Sequence, residues 1–177
     1  MFLRSARNAG FGVEEARIKR GVGYVRRCFD KDQGTFVYDY GGREGRLSRA
    51  MAGAGILALA HSGLHHTPEA QQAGDWILKC GFHKYNSAGK IRSFNGGGDR
   101  YFYGLLTCSQ AMYQLGGRHW REFFPPTATT LVENQKADGS WDRDHYIGDQ
   151  KWGTTYTTAI SVLALSPTNQ LLPIFQR

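Results

Sequence analysis

The 177-residue sequence contains little cysteine, and the placement of that cysteine excludes two classes of small protein. Cys28, Cys80 and Cys108 lie far apart and form no Cys-x-x-Cys pair. A disulfide framework needs an even set of cysteines and a zinc ribbon needs paired ones, so the sequence argues against both. We expect reduced thiols that are mostly buried.

The sequence also lacks a hydrophobic run long enough to span a membrane. Its longest apolar run, Met51–Ala60, is interrupted by glycines and is far shorter than the ~20 residues that a spanning helix needs. No apolar segment follows the charges near Met1, so no secretory signal is expected. We therefore predict a cytoplasmic protein without a transmembrane segment, or a fragment of a longer one.

Basic residues exceed acidic ones, 22 to 15, which gives a net charge of +7. Such a charge would suit an anionic partner: a diphosphate, an acidic lipid surface or nucleic acid. The basic residues are scattered, however, and the longest runs are pairs such as Arg26-Arg27. This scatter favours a solvated basic surface over a nucleic-acid site.

A short pattern recurs three times and divides the chain into units of roughly 50 residues. Each copy is a glycine, one further residue and a large apolar side chain: Gly34-Thr35-Phe36, Gly89-Lys90-Ile91 and Gly139-Ser140-Trp141. An apolar helical pattern follows each copy, at Ala50–Leu59, Phe102–Leu115 and Tyr156–Leu165. Three units of helix, corner and helix predict an all-α helical repeat protein.

Periodicity within the units predicts six helices, at residues 14–28, 47–64, 69–80, 101–115, 119–135 and 154–165. The second helix is dense in alanine and glycine, which permits close helix packing. Pro125-Pro126 should bend or restart the fifth helix. Phe36, Tyr38 and Tyr40 alternate and predict a short extended piece. Residues 1–12 are expected to be an irregular lead-in, or the end of an absent helix, before a single domain at 13–168. The apolar tail at 169–177 is expected to pack back on that domain.

The third corner carries the most specific motif, Leu131-x-x-x-Gln135-x-x-x-Gly139-x-Trp141. With Arg20-Gly21-x-x-Tyr24-Val25 and Ala73-x-x-Trp76-Ile77, it resembles the QW motif of squalene and hopene cyclases and the related repeats of protein prenyltransferases. The resemblance covers about residues 13 to 168. It implies an (α/α) toroid, of which three αα-hairpins would form part, with inner helices lining an apolar cavity for an isoprenoid. Trp141 should be structural and cover the corner.

The resemblance places a site where the inner helices begin, at the helices that start near 47, 101 and 154. We predict Asp144 and His145 as a catalytic polar pair. The substrate-binding residues predicted at the same place are Asp99, Tyr101, Tyr103, Trp152 and Tyr156. Aromatic faces can stabilise a developing carbocation. The alternative is that these aromatic residues are ordinary half-buried anchors.

Two chemical signatures of the family are missing. Cyclases carry an Asp-x-Asp-Asp acid motif immediately before an inner helix like 158–165, and here Thr154, Thr155, Tyr156 and Thr157 precede it. In the prenyltransferase zinc site, Tyr101 would replace the cysteine and Thr157 the histidine, so neither metal nor cofactor is predicted. Enzymatic activity is left open.

The sequence thus predicts a terpene cyclase-like or prenyltransferase-like protein that handles an isoprenoid or related apolar lipid. The alternative is a non-catalytic α/α-repeat interaction module that binds a protein or peptide. Because half a ring would expose the inner helices, self-association or a missing N-terminal half is also expected.

Overall fold

The computed structural model describes residues 2–41, 47–87 and 99–169, and this part of the chain is mostly helical. Its seven α-helices are α1 (Phe2–Asn8), α2 (Glu15–Arg27), α3 (Arg49–Ala60), α4 (Pro68–Cys80), α5 (Tyr101–Leu115), α6 (Gly117–Glu133) and α7 (Gly153–Leu165). The prediction of an all-α fold is therefore confirmed. The predicted corner at Gly89-Lys90-Ile91 and the apolar tail lie outside the described residues.

The bounds of the helices follow local signals in the sequence. The Ser48 hydroxyl accepts a 3.1 Å hydrogen bond from Met51 N and caps α3, and Pro68 begins α4, where its missing N–H costs no hydrogen bond. At the other end, α5 stops at Gly116, whose φ of 64° favours glycine. None of the helices in the three described ranges is long and apolar enough to cross a membrane.

The only strands in these ranges are β1 (Phe29–Asp30) and β2 (Thr35–Phe36), which pair antiparallel with Phe29 opposite Phe36. The Asp30 carboxylate accepts the backbone N–H groups of Asp32 and Gln33 and fixes the turn between them. The extended piece is shorter than the alternation predicted. Thr35 and Phe36 of β2 are both buried, whereas Tyr38 and Tyr40 lie beyond the strand and are exposed on the surface.

The core forms where α5 packs between α3 and α7, with α4 and α6 packed against α5 and against each other. Its centre holds fully buried apolar side chains from several helices: Ile56, Leu59, Ile77, Phe102, Leu105, Met112 and Leu131. The three cysteines are free thiols, as predicted, and Cys28 and Cys108 are buried. The helices that the sequence identified as inner ones are thus neighbours in space.

In two places the structure narrows what the sequence left open. The lead-in is not irregular throughout, since residues 2–8 form α1, although none of its residues is buried. The prolines at 125 and 126 do not restart the fifth helix, because α6 continues through both. The carbonyl groups that lose an N–H partner there belong to Arg121 and Glu122, which are exposed, so water can replace the missing donors.

Trp141 closes the third corner as predicted. Its indole is 3% exposed, and Nε1 donates a 2.8 Å hydrogen bond to the Leu131 carbonyl near the end of α6. The Trp141 carbonyl accepts a 3.1 Å hydrogen bond from Thr157 Oγ1 on α7. Gln135 Nε2 donates to the Gly139 carbonyl at 2.9 Å and holds the turn. One residue therefore joins both helices of the hairpin.

We predict that Trp141→Ala lowers the free energy of unfolding by roughly 3–5 kcal/mol, as expected for a buried aromatic truncation. Trp152→Ala is the matched control, because Trp152 is 56% exposed and its removal should change stability by less than about 0.5 kcal/mol. Urea unfolding of both variants measures this. Equal losses would show that burial at the corner does not explain the role of Trp141.

Gly53 sets the closest approach of α3 to α5. A Cβ atom at this position would lie 2.6 Å from the backbone carbonyl carbon of Thr107 and 2.8 Å from Cys108 N. Backbone atoms cannot move aside as a flexible side chain can. The small residues of α3 thus permit the close packing that the sequence predicted.

Gly53→Ala should destabilise the protein by roughly 1–3 kcal/mol, because the two helices must separate. Gly21→Ala, in the middle of α2 with open space around it, should instead stabilise by up to about 1 kcal/mol through helix propensity. Thermal unfolding of the two variants gives shifts of opposite sign if this account is correct. A stabilised Gly53→Ala protein would rule out the close crossing.

Candidate functional site

The beginning of α3 is tied to the segment before α5 by a buried ion pair. Arg49 and Asp99 are 0% and 2% exposed, and Arg49 Nε donates a 2.5 Å hydrogen bond to Asp99 Oδ2. Arg49 N donates to Asp99 Oδ1 at 3.0 Å, so the carboxylate also caps the first turn of α3. Burial raises the pKa of Asp99, and the charge and hydrogen bonds of Arg49 oppose that rise.

The other two guanidinium nitrogens of Arg49 also donate hydrogen bonds. Nη1 donates to the Gly81 carbonyl at 2.8 Å and Nη2 to the Ser87 carbonyl at 2.6 Å. The guanidinium carbon of Arg49, Cζ, lies 4.1 Å from the centroid of the Phe82 ring. Arg49 therefore joins α3, the turn after α4 and the start of α5.

A second ion pair ties the beginning of α5 to the segment before α7. Arg100 Nε donates a 2.6 Å hydrogen bond to Asp149 Oδ2, and Arg100 Nη2 donates another of 2.6 Å to Asp149 Oδ1. Asp149 is buried, but 43% of the Arg100 side chain is exposed. The guanidinium lies 5.1 Å from the Tyr103 ring and 5.7 Å from the Tyr146 ring. This pair is therefore half open to solvent, unlike the first.

The two ion pairs repeat with the period of the sequence. Their partners are 50 and 49 residues apart, and the two arginines are 51 residues apart. A third cation, Lys151, follows after another 51 residues; it is exposed and its ammonium lies 4.7 Å from the Trp152 ring. Sequence analysis missed this regular Arg–Asp spacing, which was the available signal for both pairs.

Asp144 and His145, the predicted catalytic pair, lie in contact beside the start of α5. Asp144 is buried; Oδ2 accepts a 3.2 Å hydrogen bond from Phe102 N, and Oδ1 accepts a 2.9 Å bond from Tyr146 N. His145 Nδ1 lies 3.3 Å from Asp144 Oδ1, but within the described part of the chain neither ring nitrogen makes a hydrogen bond. Asp144 therefore caps α5. A catalytic role for the pair stays a prediction.

Asn86 holds this loop in place and was not identified from the sequence. Its Nδ2 donates a 2.7 Å hydrogen bond to the Arg143 carbonyl, and its Oδ1 accepts a 2.8 Å bond from His145 N. Its φ of 48° is a left-handed conformation that asparagine tolerates better than most residues. The turn after α4 and the corner after α6 are thus directly joined.

The predicted substrate-binding residues divide into two groups. Asp99 and Tyr101 are buried and bonded within the protein; the Tyr101 hydroxyl donates to the Phe82 carbonyl at 3.3 Å. Their side chains offer no surface to a ligand here, because both pack against Arg49. Tyr103, Trp152 and Tyr156 remain at least partly exposed.

We call Tyr103, Tyr146 and Tyr156, which gather at Arg100, the aromatic rim. Burial raises the pKa of the Tyr156 hydroxyl and the nearby Asp149 charge adds to the rise, whereas Arg100 opposes it. Trp152 stands next to the rim, where its backbone N–H donates a 3.0 Å hydrogen bond to the Asp149 carbonyl. The rim offers ring faces and one half-exposed guanidinium to a ligand.

Two large cavities lie elsewhere. Their volumes are about 720 and 980 Å³, and both are lined by residues of α1 and α2.

Within residues 2–41, 47–87 and 99–169, no three His, Cys, Asp or Glu side chains are grouped so as to hold a metal ion. The predicted substitute for the zinc-binding histidine, Thr157, is buried and hydrogen-bonded to Trp141.

Comparison of the chain with protein-family models, with curated proteins and with solved structures finds no match.

Asp144→Ala should lower the free energy of unfolding by about 0.5–2 kcal/mol, because α5 loses its capping carboxylate. Asp142→Ala is the control: that side chain is 58% exposed and its ion pair with Lys136 is a surface pair, so the expected change is below about 1 kcal/mol. Chemical denaturation compares the two. If Asp144→Ala is no less stable than Asp142→Ala, Asp144 does not act as a cap.

Proposed function

We propose that this chain is part of a terpenoid cyclase-like α/α-hairpin array that binds an isoprenoid-like apolar ligand at the aromatic rim. The observation that carries the proposal is the position of the rim, where α5 begins, beside the segment before α7. The half-exposed Arg100 contacts the rings of Tyr103 and Tyr146 and interacts electrostatically with Tyr156. The repeated Arg–Asp pairs support the hairpin array, because they join successive units at equivalent positions.

The chemistry of the rim fits a chain of isoprene units with an anionic head. Tyrosine rings bury apolar groups with little loss of conformational entropy and present electron-rich faces. Arg100 and Lys151 supply positive charge at one end of the rim, although Asp149 neutralises much of the charge on Arg100. A polyprenyl diphosphate therefore matches the site better than a neutral lipid.

The arrangement argues against proton-initiated catalysis by Asp144. A general acid must carry its proton on an oxygen that faces the substrate. Both oxygens of Asp144 accept backbone N–H groups instead. We therefore infer binding without cyclisation, and expect no turnover of an isoprenoid substrate by this chain alone.

A farnesyl-type diphosphate should raise the melting temperature of the full chain, because a ligand that binds only the folded state stabilises it by mass action. Tyr103→Ala together with Tyr156→Ala should abolish the increase. Tyr24→Ala, which removes an exposed tyrosine on α2, should leave it unchanged. Inorganic diphosphate alone should produce no increase, because it cannot use the ring faces.

Two results would contradict the proposal. One is the absence of any increase with the diphosphate. The other is an increase that survives the double tyrosine variant but is lost on Phe2→Ser and Phe11→Ser, which would place the ligand in the cavities of α1 and α2.

The second candidate function is a non-catalytic interaction module that binds a protein or peptide. An apolar stripe on α7 favours it, since Val162 and Leu163 are exposed together with Ala159. The same stripe would serve self-association or a further hairpin. Light scattering at increasing protein concentration tests this: a monodisperse monomer would exclude self-association, and an isoprenoid-independent dimer would favour the interaction module.

A further inference from the structure

The outer surface of α1 and α2 combines exposed aromatic residues with most of the net positive charge of the protein. Phe2 is 81% exposed and Phe11 is 69% exposed. Both line the cavity of about 720 Å³, together with Leu3, Ala6 and Val13. This exposed phenylalanine pair over an apolar depression has no role in the packing of the core, because neither ring forms part of the core or packs against it.

Positive charge surrounds these apolar residues. The first 27 residues hold seven basic and two acidic side chains, so they account for +5 of the net charge of +7. The basic residues are Arg4, Arg7, Arg17, Lys19, Arg20, Arg26 and Arg27, and all of them are exposed. Several line the same cavities as the apolar residues: Arg17 the first, and Arg4, Arg7, Lys19 and Arg26 the second.

The two acidic residues of this surface do not neutralise it. Glu14 pairs with Arg17 at 2.9 Å and Glu15 pairs with Lys19 at 2.7 Å, both on α2 itself. Across residues 2–41, 47–87 and 99–169, no carboxylate is in salt-bridge distance of Arg4, Arg7 or Arg20. These three arginines therefore remain available to an external anion.

From this combination, we propose that the α1–α2 surface docks the protein on an anionic phospholipid bilayer. Phe2, Leu3 and Phe11 would enter the interface between head groups and acyl chains, and Arg4 and Arg7, which line the same cavity as Phe2 and Leu3, would meet the lipid phosphates. A bilayer fits better than a nucleic-acid duplex, because the exposed phenyl rings of Phe2 and Phe11 offer neither charge nor a hydrogen bond to a phosphate backbone. A bilayer also fits better than a folded partner, because the basic residues surround the aromatic ones.

The surface is separate from the aromatic rim. The cavity of about 980 Å³ on this surface extends to Ala58, His61 and Leu64, which lie at or just after the C-terminal end of α3. The aromatic rim lies instead where α5 and α7 begin. Burial lowers the pKa of His61 to about 4, and nearby positive charge that includes Arg4 adds to the effect. His61 is therefore neutral at physiological pH, and the arginines carry the charge of the surface.

Sedimentation of the full chain with phospholipid vesicles tests the proposal. The protein should bind vesicles that contain phosphatidylglycerol, should bind pure phosphatidylcholine weakly, and should be released by molar salt, which screens the attraction. Arg4→Ser with Arg7→Ser should weaken binding about 25-fold, since each basic residue near an anionic surface contributes about a factor of five. Phe2→Ser with Phe11→Ser should weaken it at least about tenfold.

Matched controls remove the same kinds of group elsewhere. Arg121→Ser with Arg143→Ser takes away two exposed charges from α6 and the third corner, and Ile147→Ser takes away an apolar side chain that is 82% exposed. Both control proteins should bind vesicles as the unaltered chain does, and so should the double tyrosine variant of the rim. All of these positions are on the surface, so the melting temperature verifies that each variant is folded.

Four results would overturn the proposal: no vesicle binding, equal binding to neutral and anionic vesicles, equal losses in the control variants, or an arginine-dependent affinity for single-stranded RNA that exceeds the affinity for vesicles. The last result would assign the surface to nucleic acid.

Discussion

The buried ion pair between Arg49 and Asp99 is the contact on which the arrangement of the helices depends. Moving two charges out of water is costly, and the cost is recovered only if every donor and acceptor finds a partner. Here the guanidinium bonds the carboxylate and two carbonyls, and the carboxylate also accepts the first N–H of α3. Such a set of bonds specifies one relative position of α3, the turn after α4 and the start of α5.

The second ion pair, between Arg100 and Asp149, also joins the start of a helix to a later segment, but it is less buried than the first. Its carboxylate is buried and its arginine is half exposed. The rings of Tyr103 and Tyr146 lie beside this half-exposed arginine. Arg49 and Arg100 thus occupy equivalent positions in successive units. The first is buried and stabilises the packing of the helices, whereas the second forms part of the candidate binding surface.

Sequence analysis predicted the helices well because their signals are local. Apolar periodicity, Pro68 and Gly116 act within a few residues, and the range of α5 was predicted to the residue, whereas α3 was predicted at 47–64 and spans Arg49–Ala60. Trp141 was also recognised, since its motif lies within ten residues of its hydrogen-bond partner Leu131. The sequence left open whether the two prolines of α6 bend or restart the helix, because their cost depends on whether the freed carbonyls face water, which the sequence does not display.

The site was harder to predict because its contacts are distant in sequence. Asp99 and Tyr101 have suitable chemistry for a ligand, but partners about 50 and 19 residues away bury them. Asp144 resembles a free catalytic acid until Phe102, 42 residues earlier, is found to donate to it. Which polar residue is a cap and which is available to a ligand is decided by tertiary packing.

A double-mutant cycle on Arg49 and Asp99 tests this account most directly. Arg49→Met and Asp99→Leu should each cost roughly 3–5 kcal/mol, because each leaves a buried charge without its partner. The double variant, which removes both charges, should be more stable than either single variant, as measured by urea unfolding. If the double variant instead loses the sum of the two single effects, the residues act independently and the ion pair does not organise the fold.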